Sequence, residues 1–303
     1  MYIIMGFFGF GNKKCNSGFH KKGDRCVRID KRERVKNSES KSSCSLDGKE
    51  FCKVGDKSLR PIIARAGGKS QLADKIISKM KDHKLYNEPF VGGGAVFLKK
   101  PLAEKNYIND KDSDVIKVYK KFKNSDGFDK CDMTPSKKRF DKIKNKSNKS
   151  ACDIAYLNKL SFGAGGTNYG GEKKYHHKSK QVGIIYQKAH QDDYKEKLKN
   201  AVITSQDFKK AIEKTKNIKS SVTFMDPPYF GADSMYKEKG ITPKEVCDTA
   251  KQMKGQVLIT YNDHKEVRKN CSKGFRVEKI SSRYTLGANS NNKKSKELLI
   301  IKD

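Results

Sequence analysis

Residues 85–122 alternate in a way that leaves few folds open. Leu85–Phe90 reads as a short strand ending in a turn. Val91-Gly92-Gly93-Gly94-Ala95 reads as a glycine loop that opens a helix through Leu98, and Asn106–Asn109 as a second strand stopped by Asp110. Val115, Ile116, Tyr119 and Phe122 then fall on one helical face. Strand, glycine loop, helix, strand, acid, helix is the opening of a nucleotide-binding α/β sheet. Further strands are predicted at Ala201–Thr204, Ser221–Met225, Gln256–Tyr261 and Glu297–Ile301, and a helix over Gln71–Met80. The predicted fold is therefore α/β, a Rossmann-like sheet.

The alternation fails in two places. Residues 1–59 carry Gly, Ser, Lys and Cys with little periodicity and read as an N-terminal extension. Residues 124–195 interrupt the sheet with a basic stretch from Pro135 to Lys149 and a glycine-dotted loop from Asn158 to Gly171, an insert expected to be mostly helical. The sheet domain is then 60–123 plus 196–303.

Charge narrows the partners. Lys+Arg is 67 against Asp+Glu 35 in 303 residues, a formal net charge of +32. Such a surplus favours polyanions, nucleic acid first and an anionic membrane surface second. Most of it is Lys, which an A·T-rich genome also encodes, so charge alone does not decide. The longest apolar run, Met1–Phe10, is half the ~20 residues that span a bilayer. It lacks a basic flank and a small-residue cleavage site, so it reads as a poor secretion signal. An intracellular location follows, cytoplasm or nucleoid, with a viral genome as one admissible source. In that compartment the eight Cys should stay thiols. Cys15, Cys26, Cys44 and Cys52 crowd the extension, but no C-x-x-C pair or common zinc spacing occurs, and no metal is expected.

Three motifs carry chemistry. The glycines of Glu88-Pro89-Phe90-Val91-Gly92-Gly93-Gly94 let a ligand approach the backbone, and Asp110 ends the next strand where a carboxylate reaches ribose hydroxyls or caps a helix. Ala66-Gly67-Gly68-Lys69-Ser70 ends like a phosphate-binding loop, but Ile63 stands where its first Gly belongs, which excludes an NTPase. Asp226-Pro227-Pro228-Tyr229 follows the apolar strand Val222–Met225 directly. Two prolines stiffen that turn. The Asp226 carboxylate and a backbone carbonyl are two acceptors beside the flat face of Tyr229, a set suited to an exocyclic amino group on a stacked ring.

In this order the motifs resemble the Dam-type, D12 class, α-group DNA adenine-N6 methyltransferases, from about Arg60 to Asp303. Tyr156-Leu157-Asn158-Lys159, Leu258–Asp263 and Lys296–Ile300 extend the likeness. The resemblance implies a fold that is a Rossmann-like S-adenosylmethionine-dependent methyltransferase sheet with 124–195 as target-recognition domain. It implies S-adenosyl-L-methionine as cofactor and double-stranded DNA as partner. Cofactor contacts would come from Arg65, Gly67, Lys69, Glu88, Pro89, Phe90, Gly92, Gly94, Asp110, Asp207 and Phe208. Lys69 would meet the methionine part, Asp110 the ribose, and Ser205–Phe208 the adenine; Phe208 reads equally as core. Arg65 departs from the family, which often has an aromatic there.

Catalysis would fall to Asp226, Pro227, Pro228 and Tyr229, acting on a flipped adenine, with Tyr261 a second candidate wall or a core-edge residue. Lys137, Lys138 and Arg139 would position phosphates, and Asn158, Lys159 and Asn168 would approach bases. His176-His177 could touch phosphate. A monomer is expected, no membrane association, and a cognate restriction endonuclease is an admissible partner. Two other readings stay open: transfer to another amine or amide (RNA adenine, cytosine N4, protein glutamine), and a DNA-binding chain that has lost catalysis.

Overall fold

The computed structural model describes residues 19–22, 25–28, 59–65, 67–124, 127–170, 188–231, 240–283 and 294–303. The chain divides into two units, Met1–Lys53 and Val54–Asp303. In the first, β1 (Phe19–Lys22) and β2 (Arg25–Arg28) pair antiparallel, Phe19 opposite Arg28. No strand was expected there, because four-residue strands are too short to show a period. Cys26 lies in β2; Cys15, Cys44 and Cys52 lie outside the described residues.

The second unit is built on a seven-stranded sheet of β3 (Leu85–Glu88), β4 (Lys105–Asn109), β5 (Ala201–Thr204), β6 (Ser221–Met225), β7 (Gln256–Asn262), β8 (Arg276–Arg283) and β9 (Lys294–Lys302). Their order is β5-β4-β3-β6-β7-β9-β8. The first five are parallel, and β9 runs antiparallel to both β7 and β8. The chain moves outward from β3 through β4 to β5, then returns to add β6 on the other side of β3. That reversal opens a crevice at the carboxyl ends of β3 and β6, where α/β sheets bind ligands.

Strand burial follows from parallel pairing. β6 is buried at all five positions, so it reads as an unbroken apolar run rather than an alternation. One face carries Val222, Phe224, Leu258, Leu299 and Ile301; the other carries Met225, Val257, Ile259, Leu298 and Ile300. Helix Ser113–Asn124 turns Val115, Ile116, Val118, Tyr119 and Phe122 into the first of these cores. Helices Pro243–Lys251 and Lys265–Cys271 cover the second through Val246, Cys247, Ala250, Val267 and Cys271. Thr242 caps the former, its hydroxyl accepting the Glu245 N–H at 3.2 Å, with Pro243 in the first turn.

Between β4 and β5 the described residues include helices Lys137–Lys144, Ala151–Leu160 and Lys188–Leu198. Ser150 and Asp153 form a capping box at the start of the second. The helix read over Gln71–Met80 is shorter, Ala73–Ile77.

The cysteine expectation is corrected. Cys131–Cys152 and Cys247–Cys271 pair as disulfides with Cα separations of 5.6 and 5.5 Å. Packing of neighbouring segments brings them together, a proximity that spacings of 21 and 24 residues do not display. No group of three or more possible metal ligands occurs among the described residues, and no described helix is long and apolar enough to cross a membrane.

Candidate active site

The strand period aligns four polar side chains on one sheet face. Tyr86 and Glu88 are two apart on β3, so both point the same way. Register puts Met225 beside Ile259, so Asp226, one past β6, faces Thr260 of β7. Asn262 pairs with Glu297 of β9. The result is a row of Glu88, Asp226, Thr260 and Glu297 near the crevice.

Lys69 reaches into this row from the preceding loop. Its buried ammonium lies 2.8 Å from Asp226 Oδ1 and 3.8 Å from Glu297 Oε2. It also sits 4.8 Å from the centroid of the Tyr229 ring. The Thr260 hydroxyl donates to the same Asp226 oxygen at 2.7 Å, and the Tyr229 hydroxyl donates to Glu297. Tyr261 lies beyond, its ring 6.2 Å from that of Tyr229; it is fully buried, a core position. Burial pushes the Asp226 pKa up, and the Lys69 charge pulls it back. The Asp226 side chain keeps 21% of its surface exposed, so it remains open to a ligand. Thr260 and Glu297 lie within the motifs Leu258–Asp263 and Lys296–Ile300, but no site role was read for either; strand register brings them to the site.

Glu88 points inward. It is buried, accepts the Tyr86 hydroxyl at 2.6 Å, and burial pushes its pKa up to about 8. Burial thus favours the neutral acid over the carboxylate at this position. Pro89 is held from below, its carbonyl accepting Asn109 Nδ2 at 3.0 Å. Asn109 also ties the Ser205–Phe208 segment, donating to the Gln206 carbonyl at 2.9 Å. Phe90 and Phe208 stand 5.2 Å apart at the edge of the second core, Phe208 buried. Asp207 is exposed and caps the short helix after β5.

Asp110 secures the glycine turn. Its carboxylate accepts the Gly92 N–H and the Asp112 N–H, each at 2.9 Å. Burial raises its pKa, against the pull of Arg65. Arg65 pairs with Asp112. A Cβ on Gly94 would lie 2.2 Å from the Tyr119 hydroxyl oxygen, and Gly94 has φ 75. A Cβ on Gly92 would meet only Arg65 Cδ, at 4.0 Å. The turn is therefore packed from below and open above Gly92. Gly67, with φ 77, is exposed. Pro227 is buried and Pro228 half-buried.

The insert residues fall in different settings. Lys137 pairs with Asp141 at 2.7 Å, Arg139 pairs with Asp132 and lies 4.7 Å from the Tyr156 ring centroid, and Lys138 is exposed. Asn168 is exposed on a loop closed by a bridge between Ser161 and Tyr169, its carbonyl accepting the Phe162 N–H at 2.7 Å. Lys159 is half-buried, and burial and Arg60 lower its pKa. Asn158 is buried against Ala64. His176 and His177 lie outside the described residues.

A family model for D12 class N6 adenine-specific DNA methyltransferases matches residues 66–286. The chain belongs to this family. A curated relative, the Type II methyltransferase M1.LlaDCHI of Lactococcus lactis subsp. cremoris, is 27% identical over 268 residues, covering 78% of this chain and 92% of the relative. Among solved structures, a precorrin-6y C5,15-methyltransferase from Geobacter metallireducens aligns with TM-score 0.36 and 10% identity, covering 79% of this chain and 91% of that one. An rRNA methylase from Streptococcus thermophilus aligns with TM-score 0.32 and 8% identity, covering 77% and 94%. Membership in the D12 family makes the chain a DNA adenine methyltransferase that uses S-adenosylmethionine.

Proposed function

We propose that the chain methylates N6 of an adenine flipped out of duplex DNA, with Asp226 and the Pro227 carbonyl as acceptors of the two amino hydrogens and Tyr229 as the stacking face. The observation that carries this reading is the position of Lys69 Nζ, a cationic nitrogen between the Asp226 carboxylate and the Tyr229 ring. The chain thus seats its own stand-in for the reacting amine. An N6 losing lone-pair delocalisation becomes tetrahedral and gains positive charge, and a fixed carboxylate beside it stabilises that state.

The cofactor supplies the methyl group on a sulfonium. The turn from Glu88 to Gly94 would hold it, since Gly92 is open above while Asp110 and Tyr119 fix it from below. Asp207 and Phe208 would bound its adenine end, with Phe90 against Phe208. Lys69, assigned by resemblance to the methionine part, would instead serve Asp226: its charge pulls down a carboxylate pKa that burial raises, and it would yield its place to the base.

Lys138 and Asn168, both exposed, are proposed DNA contacts. Lys137 and Arg139 would trade Asp141 and Asp132 for phosphates. Asn158 is proposed to shape the Ala64 loop rather than read bases. A monomer within the cell, with a cognate restriction endonuclease, completes the proposal.

Expression in a host without DNA methylation, followed by sequencing for N6-methyladenine, tests it. Modified adenine within one short sequence is expected. Unmodified adenine, or modification of cytosine alone, would contradict it.

A further inference from the structure

We propose that Glu297, on the last strand of the sheet, is a positioning residue for methyl transfer, fixing Tyr229 through its hydroxyl and drawing the charge of Lys69 off Asp226. This rests on the assignment of Asp226 and Tyr229 as the amine-binding pair.

Three observations converge. The Tyr229 hydroxyl donates to Glu297, which sets the ring plane against which a base would stack. Lys69 Nζ lies between two carboxylates, 2.8 Å from Asp226 and 3.8 Å from Glu297, so it has a second acceptor when an amine takes Asp226. Glu297 is buried at the end of a strand pairing, opposite Asn262 on β7 and Ile280 on β8, neither of them charged. Buried carboxylates are rare unless paired, and this one is shared by a cation and a phenol.

The charge balance gives it a purpose. Lys69 alone would neutralise Asp226 and oppose the positive charge growing on the target nitrogen. With Glu297 the cluster of one cation and two carboxylates keeps a net negative charge, which suits a cationic transition state. Among the described residues, the charged groups around Asp226 are Lys69, Glu297 and Glu88; Tyr261 lies on the opposite face of β7, within electrostatic reach of it. Among the described residues, those facing Glu297 include Lys69, Asp226 and Tyr229; the adjacent Lys296 points to the opposite face of its strand. Glu297 raises the Asp226 pKa, as like charges do.

The test compares wild type, Glu297→Gln and Glu297→Asp in the full chain, by kcat, KM for duplex DNA, cofactor affinity, melting temperature and the pH profile of kcat. Glu297→Gln keeps the shape and removes the charge. It should lower kcat by about 10- to 100-fold, leave cofactor affinity within about threefold, and move the acid limb of kcat to lower pH, because Asp226 then ionises more easily. Glu297→Asp keeps the charge and should be the more active of the two, with an unmoved acid limb. A purely structural side chain would reverse that ranking and leave the acid limb in place, which would overturn the proposal. Should the Gln variant not fold, Glu297→Asp decides: an acid limb of kcat moved to lower pH at unchanged melting temperature, although the charge is kept, overturns it. An active wild type whose rate ignores Asp226→Asn would instead overturn the underlying assignment, and this inference with it.

Discussion

The Asn158 side-chain amide clasps the backbone of Ala64, accepting its N–H at 3.1 Å and donating to its carbonyl at 2.9 Å. A helix of the insert thereby holds the loop that delivers Arg65 and Lys69 to the crevice, across 94 residues of sequence. Asn158→Leu removes both bonds and leaves two peptide groups without these partners. A loss of about 1 to 3 kcal/mol in urea unfolding is expected, with cofactor affinity weakened several-fold because the loop loosens. Unchanged stability and affinity would show that the loop needs no such anchor.

Glu88 makes stability depend on pH in a stated direction. Its ordinary value of 4.5 is pushed up to about 8 by burial in the folded chain. The native state therefore keeps a proton that the unfolded chain releases. That contribution is fully present below about 4.5 and declines as pH rises towards 8. Lys100, lowered to about 7 by burial, acts in the opposite sense only above that pH. Glu88→Gln mimics the neutral acid and can still accept from Tyr86. Its stability advantage over wild type should widen by about 2 kcal/mol between pH 5 and pH 7 in denaturant titrations. An advantage flat across that interval would mean that Glu88 is ionised in the fold.

Gly93 is needed for a close approach rather than for a ligand. A Cβ there would lie 2.3 Å from the Ile63 carbonyl oxygen, while the Gly93 carbonyl accepts the Ile62 N–H at 2.9 Å. Gly93→Ala should force these two segments apart, destabilising the chain by about 1 to 3 kcal/mol and lowering activity through displacement of Lys69. Chemical denaturation of the Ala variant checks this; wild-type stability would count against the contact.

Much of the sheet was legible because parallel strands buried on both faces are apolar runs. Ala201–Thr204 and Ser221–Met225 appear at the expected residues. β8 escaped notice: Arg276–Arg283 is an edge strand with six polar or charged residues among its eight, and only pairing to β9 makes it a strand. The glycine turn and Asp226-Pro227-Pro228-Tyr229 were legible because each is one continuous motif. Glu297, Thr260 and the Asn158–Ala64 clasp were not. Each acts through a partner 34 or more residues away, joined by register or helix packing that no local pattern encodes.

The N-terminal unit ends near Lys53, while Leu59 packs against the core and Arg60 is bonded through N–H and carbonyl to the Tyr194 hydroxyl at 3.0 and 2.8 Å. Removal of residues 1–53 should leave the melting temperature within about 2 °C, well inside the shift that 1 kcal/mol produces, and leave methylation of naked duplex intact. A collapse of either on truncation would make the extension part of the folded domain.

Methyl transfer by Asp226→Asn, measured beside wild type with labelled cofactor and duplex DNA carrying the recognised sequence, tests the central claim most directly. The amide keeps the size of the side chain but loses the charge that faces the reacting nitrogen. A fall of at least about 100-fold in kcat, with cofactor affinity within about threefold, is the expected result. Transfer at the wild-type rate would contradict it.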